Sequence, residues 1–183
     1  VLDSHQECKS LAFLRSHKVQ TTIQELCDFG GFMRIYIAGD HAGFRLKEKI
    51  KLWLEKMGHK VDDLGPFEYK KGDDYPDYTF PLAETVAFGE KRVGIVIAGS
   101  GIGECIVANK VRGVRAVLYH GGSLAIVKTS RLHNDANVLC LGARFVGERE
   151  ARRAIKLWLK TRFSNAKRHK RRLRKIGKYE RKI

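Results

Sequence analysis

No run of apolar residues in this chain reaches the roughly eighteen needed to cross a bilayer as a helix, and none has the shape of a secretory leader. Cysteine is sparse and scattered. Cys8, Cys27, Cys105 and Cys140 form no CxxC pair, so nothing in their spacing points to zinc or to a redox dithiol. Such usage fits a reducing cytoplasm. The chain also has no GxGxxG fingerprint and no glycine loop ending in GKS or GKT, which removes the usual dinucleotide and Walker signatures. Clusters of His, Cys, Asp and Glu at metal-ligand spacing are lacking as well, so neither a cofactor nor a metal is expected.

What the chain does have is length and positive charge. Its 183 residues, 43% of them hydrophobic and 31% charged, are enough for one ordinary domain with a real core. A formal charge of +16 suggests nucleic acid at first sight. Its distribution is uneven: residues 160–183 hold twelve Lys/Arg against Glu180 and carry +11, while the other 159 residues carry +5. A basic tail on a near-neutral domain fits an RNA-binding arm. It fits equally a cationic helix that binds small phosphates or a partner subunit.

Residues 1–32 stand apart, with little sustained periodicity before Gly30-Gly31-Phe32. Met33 is one candidate for the natural start, with the preceding segment foreign to the protein. The other reading is a genuine extension with a helix around Leu11–Leu14 and Ile23–Leu26. From Met33 onward strand and helix patterns alternate. The strands are expected at Arg34–Gly39, His59–Leu64, Val93–Ala98, Val114–Leu118 and Ala136–Leu141. Helices are expected through Leu46–Met57, Leu82–Phe88, Ile106–Lys110, Ser123–Arg131 and Glu148–Lys160, with a last one near Asn165–Lys178. This alternation predicts a three-layer α/β/α sandwich with a five-stranded, Rossmann-like parallel sheet and a C-terminal basic helix. The domain would run over 33–160 and the tail over 161–183.

In such folds ligands bind beyond the carboxyl ends of the strands. That rule selects Gly39–Gly43, Gly99–Glu104, Tyr119–Gly122 and Gly142–Arg144. In Gly99-Ser100-Gly101-Ile102-Gly103-Glu104, three glycines between a buried strand and a helix allow backbone N–H groups to face an anion. The same loop could be a tight turn with no ligand. Asp40 could be a ligand contact or a helix cap. His133 could be a site residue or a histidine at a helix C-terminus. Arg168 and Arg172 stand one turn apart, on a face that could equally be solvated.

Taken together, these segments carry a resemblance. Gly39-Asp40-His41-Ala42-Gly43, Asp74-Tyr75-Pro76-Asp77-Tyr78, Gly99–Gly103 followed by Ala108-Asn109-Lys110, His133-Asn134-Asp135, and Arg168-His169 with Arg172 occur in the order found in type B ribose-5-phosphate isomerases. The chain resembles that family, which includes allose- and galactose-6-phosphate isomerases, over about residues 33–175. The resemblance implies aldose–ketose isomerisation of a sugar phosphate through an enediolate, without metal or redox cofactor. It also implies a cytoplasmic homodimer or dimer of dimers whose sites span the dimer interface.

In one branch of the family the base is a cysteine just before the glycine loop, where this chain has Ala98. In another it is a glutamate just after the loop, where Glu104 stands, so the base is assigned to Glu104 and not to Cys105, which should point about 100° away. By the same resemblance, Ser100 and the N–H groups of Gly99, Gly101 and Gly103 would stabilise enediolate oxygens. Asp40 and Asn134 would hold sugar oxygens, Tyr75 would wall the pocket and His133 would assist ring opening. His41, Arg144, Arg168 and Arg172 would bind the phosphate. A six-carbon sugar phosphate is the alternative substrate. RNA binding through the tail is the reading from another class, and the lack of interleaved aromatic and basic residues speaks against it.

Overall fold

The computed structural model describes residues 34–89 and 91–182. The expectations for residues 1–32 therefore lie outside the described residues. In chain order the elements are β1 (Arg34–Gly39), α1 (Phe44–Lys56), β2 (Lys60–Asp63), α2 (Pro76–Ala87), β3 (Arg92–Ala98), α3 (Ile102–Ala108), β4 (Ala116–Tyr119), α4 (Ala125–Asn134), β5 (Val138–Gly142), α5 (Glu148–Lys160) and α6 (Lys167–Glu180). All strand pairings are parallel, in the order β2-β1-β3-β5-β4.

Both faces of the sheet are covered, and the period-2 alternation of the strands assigns each side chain its layer. Ile35, Ile37, Ile95, Ile97, Leu139 and Leu141 point to one face, against Leu54 of α1, Val127 of α4 and Trp158 of α5. Tyr36, Ala38, Val96, Val138 and Cys140 point to the other, against Leu82 and Val86 of α2 and Ala108 of α3. Each fully buried aliphatic side chain contributes about 1.5–3 kcal/mol. The expected α/β sandwich is the observed one.

Two element bounds differ from expectation in ways that matter. Helix α4 runs on to Asn134, so His133 and Asn134 occupy its last turn and not the connection to β5. The helix ends where Asp135 takes φ 46°, and the Asp135 N–H still reaches the Arg131 carbonyl at 3.1 Å. Strand β4 begins at Ala116, because the Arg115 N–H is taken by the Asn137 side chain at 2.7 Å and not by the ladder.

At the carboxyl end of β1 the chain goes first to β2 on one side, then returns to β3 on the other. This reversal opens a crevice between the ends of β1 and β3. Backbones approach closely there: a Cβ on Gly43 would sit 1.8 Å from the Ile97 carbonyl oxygen. Only glycine fits.

Candidate active site

Asp40 bridges the crevice. One carboxylate oxygen accepts the Gly43 N–H at 2.7 Å and the other faces the Gly99 N–H at 3.4 Å. Asp40 thus closes the turn before α1, whose N-cap is Gly43 with no side-chain cap, and ties the first strand's end to the glycine loop. Gly101 begins α3 with φ 76°, packed against the backbone of Leu141 and Gly142. Ser100 Oγ accepts the Ile102 N–H at 3.2 Å, which leaves the hydroxyl proton free to be donated elsewhere.

Glu104 lies in the first turn of α3 and is 3% exposed. The helix N-terminus lowers the pKa of a first-turn carboxyl and burial raises it, and here burial wins. Desolvation raises its pKa, the Asp40 carboxylate adds to the rise, and Glu104's own N–H opposes it. Cys105, the next residue, packs toward buried Cys140 on the sheet side of α3, and it borders a shallow groove with Ile106, Asn109 and Lys110. Its thiol is held below the ordinary range by a hydrogen bond from buried Cys140, whose own thiol is pushed up. Asn109 pairs with both backbone groups of Ala116, so it serves the edge strand β4 and not a ligand.

Tyr75 lies over the glycine loop. A Cβ on Gly103 would come within 2.7 Å of its ring, so the missing side chain is what lets the phenol close this wall. The Arg144 guanidinium packs over Gly99, 3.2 Å from where a Cβ would be. The loop after β5 is pinned there by the Ala143 N–H on Ala98 O and the Arg144 N–H on Gly99 O, at 2.7 and 3.1 Å. Sequence reasoning passed over Asp73. Its carboxylate, 3% exposed, contacts His41 Nδ1 at 2.6 Å and accepts the His41 backbone N–H at 3.0 Å. That contact turns Nε2 of His41 outward. The only sequence signal was an acid beside Gly72 in the loop leading to Tyr75, and nothing local said what it would meet.

The loop is anchored from behind by a buried ion cluster. Lys47, fully buried, reaches both Asp63 oxygens at 2.8 and 2.7 Å, and Lys51 joins at 2.9 Å. Asp63 also accepts the Gly65 N–H at 2.9 Å. Burial alone would raise the Asp63 carboxyl, but Lys47, Lys51 and that N–H hold it below its ordinary value.

Asp40, His41, Tyr75, Gly99, Ser100, Gly101, Gly103, Glu104 and Arg144 are therefore brought together at the carboxyl ends of β1, β3 and β5. The other four predicted residues are not. Helix α4 runs back across the sheet from the end of β4 to the start of β5, so His133 and Asn134 stand at the amino ends of the strands. Helix α5 likewise ends there, where the Thr161 carbonyl accepts from Arg131, and α6 starts there with Arg168 and Arg172. The His133 and His169 rings are in contact, tilted by 42° with centroids 4.3 Å apart. Five residues of β5 alone put about 13 Å between the two ends of the sheet.

A parallel α/β sheet with a buried carboxyl, a glycine loop and cations at one crevice defines a site suited to proton transfer on a small anionic substrate. Comparison with known proteins is specific. Residues 35–176 match the family described as Ribose/Galactose Isomerase, and the chain belongs to that family. Ribose-5-phosphate isomerase B of Mycolicibacterium paratuberculosis is 40% identical over 149 residues, which are 81% of this chain and 92% of that protein. The crystal structure of ribose-5-phosphate isomerase B from Mycoplasma genitalium with bound ribulose-5-phosphate matches with a TM-score of 0.78 and 41% identity, covering 82% of this chain and 98% of that one. The Clostridium thermocellum ribose-5-phosphate isomerase B matches with a TM-score of 0.77 and 43% identity, over 82% and 99% of the respective chains.

Proposed function

We propose that this chain interconverts ribose 5-phosphate and ribulose 5-phosphate in the cytoplasm, with Glu104 as the general base. The observation that carries the assignment is a buried carboxyl of raised pKa in the first turn after the glycine loop, in a chain of this family. In the open aldose, Glu104 takes the proton from C2, and the electron pair forms the C1–C2 double bond of an enediolate. The O2 proton passes to O1, and Glu104 returns its proton to C1, so that C1 becomes a CH2OH group and C2 the ketone. A carboxyl raised above its ordinary value is a stronger base than a free carboxylate, which suits removal of the C2 proton. The Ser100 hydroxyl and the loop N–H groups supply donors to the enediolate oxygens. Asp40 and Tyr75 bound the sugar, and His41 and Arg144 take the phosphate.

His133, Asn134, Arg168 and Arg172 complete the site in a second copy of the chain. Their position at the far end of the sheet from Glu104 supports a shared site, because no local movement of one chain brings the two groups together. The outer face of α3 also shows Ile102 and Ile106, 52% and 57% exposed and one turn apart, as an apolar surface for a partner. The assembly is thus a homodimer or dimer of dimers, in which the tail of one protomer serves the site of the other. Comparing kcat/KM on ribose 5-phosphate and allose 6-phosphate, with wash-in of solvent deuterium at C2 of recovered aldose, tests the assignment. Deuterium at C2 marks proton transfer through an exchangeable base; turnover left unchanged by Glu104→Gln would refute the base, and preference for the six-carbon substrate would refute the substrate.

A further inference from the structure

One histidine at the far end of the sheet has no part in the reaction as described, although its side chain is almost wholly enclosed. His169, in the first turn of α6, is 3% exposed. Each edge of its ring is engaged. Arg168 Nε donates to His169 Nε2 at 3.0 Å, and His169 Nδ1 lies 2.8 Å from Ser164 Oγ. A guanidinium nitrogen has a proton to give and no lone pair to receive one, so Nε2 must be the acceptor. The single proton of the neutral ring is then on Nδ1, beside Ser164 Oγ and the Leu132 carbonyl. Burial, and then the neighbouring His133, Arg168 and Arg172 side chains, lower the pKa of this ring, against the Leu132 carbonyl, which raises it. One face of the ring lies against His133, tilted by 42°, and Phe163 flanks it with its centroid 6.4 Å away.

We infer that His169 is a positioning residue that sets two groups at once: the guanidinium of Arg168 and the imidazole of His133. With Nε fixed, the two terminal nitrogens of Arg168 face outward as a fork, which is the geometry that takes two phosphate oxygens. With one face covered, the His133 ring loses the freedom to turn about its side-chain bonds. The tail helix and the end of α4 therefore deliver a phosphate clamp and a proton-transfer group as one unit, held in one chain, to the site of the other. This inference rests on the roles proposed above for Arg168 and His133.

Two substitutions separate the functions of the ring. His169→Phe keeps an aromatic face for His133 and removes the acceptor. His169→Gln places an amide oxygen near the position of Nε2 and removes the ring. Expected for His169→Phe is a KM for ribose 5-phosphate and a Ki for inorganic phosphate both raised about fivefold or more, with kcat nearly kept. Expected for His169→Gln is the reverse: KM near that of the parent, and kcat lowered. Ser164→Ala, a mild change at an exposed position, should raise KM in the same sense as His169→Phe by loosening the tautomer. If the effect runs through Arg168, His169→Phe and Ser164→Ala should add little in an Arg168→Ala background. Additive effects there, or equal losses in KM and kcat for Phe and Gln, would mean that His169 only supports the fold. Should Arg168→Ala raise KM while His169→Phe and Ser164→Ala do not, this inference alone fails. An Arg168→Ala protein with unchanged KM and Ki would overturn the phosphate role of the tail and the inference with it.

Discussion

Replacing Glu104 by Gln removes the base and leaves the shape of the side chain, and two consequences follow with opposite signs. The first is kinetic. General-base catalysis contributes about 10²–10⁴-fold, so turnover should fall at least a hundredfold, about 2.7 kcal/mol in the barrier. The second concerns stability. Burial and Asp40 raise the Glu104 carboxyl above its ordinary value of 4.5, so the folded chain holds this proton more firmly than the unfolded one. Between 4.5 and the raised value this group's contribution to stability falls as pH rises, and at neutral pH its charge works against the fold. An amide carries no such charge, so Glu104→Gln should unfold at a higher temperature than the parent at pH 7.5, with the difference shrinking toward pH 4.5. An inactive but stabilised protein cannot be a misfolded one. Ketose formation followed by absorbance, beside thermal unfolding across pH, reads both effects. In the parent, kcat/KM should fall on the acid side at a pH above that of a free carboxylate. Activity of Glu104→Gln within about threefold of the parent would sink the assignment. So would a lower Tm at pH 7.5 together with an inactive Cys105→Ser protein.

Cys105→Ser should keep most activity, since the thiol is engaged with Cys140 under α3. Asp73→Ala should raise KM for ribose 5-phosphate severalfold with little loss of kcat, because His41 loses the carboxylate that turns its ring; an unchanged KM would show that the contact is idle. Asp63→Asn breaks a buried pair and should cost on the order of 3 kcal/mol in urea unfolding at pH 7. The folded Asp63 carboxyl is held low, so that difference is fully present above its ordinary value of 3.8 and should vanish as pH falls through the depressed one. Arg172→Ala should lose about 1.5–3 kcal/mol in kcat/KM, chiefly through KM. Mixing it with Glu104→Gln and reassembling should restore activity, because one of the two shared sites in a mixed dimer then carries both lesions and the other none. Proven heterodimers that stay inactive would place the tail in its own chain's site, or in none.

Much of this protein can be read along the chain because its strands and helices write their layers locally. Ile35 and Ile37 against Tyr36 and Ala38 already separate the two faces of a doubly covered sheet, and the Gly99–Glu104 segment already marks the strand-to-helix turn. Glycine at 43 and 103 was readable as permissive backbone. That their absent side chains make room for the Ile97 carbonyl and the Tyr75 ring depends on which strands become neighbours. Strand order, β2-β1-β3-β5-β4, carries no local signal, and it is the order that opens the crevice between β1 and β3. Partners far apart in the chain were hidden for the same reason: Asp73 meets His41 across 32 positions and Lys47 meets Asp63 across 16. The sequence alone also could not say whether burial or the helix terminus governs the Glu104 carboxyl, since desolvation is a property of everything packed around it. Nor could it say that His133 and Arg168 stand at the opposite end of the sheet from that base. Helices in a parallel sheet run back against the strands, and this antiparallel return decides which end of the molecule each of their ends must occupy.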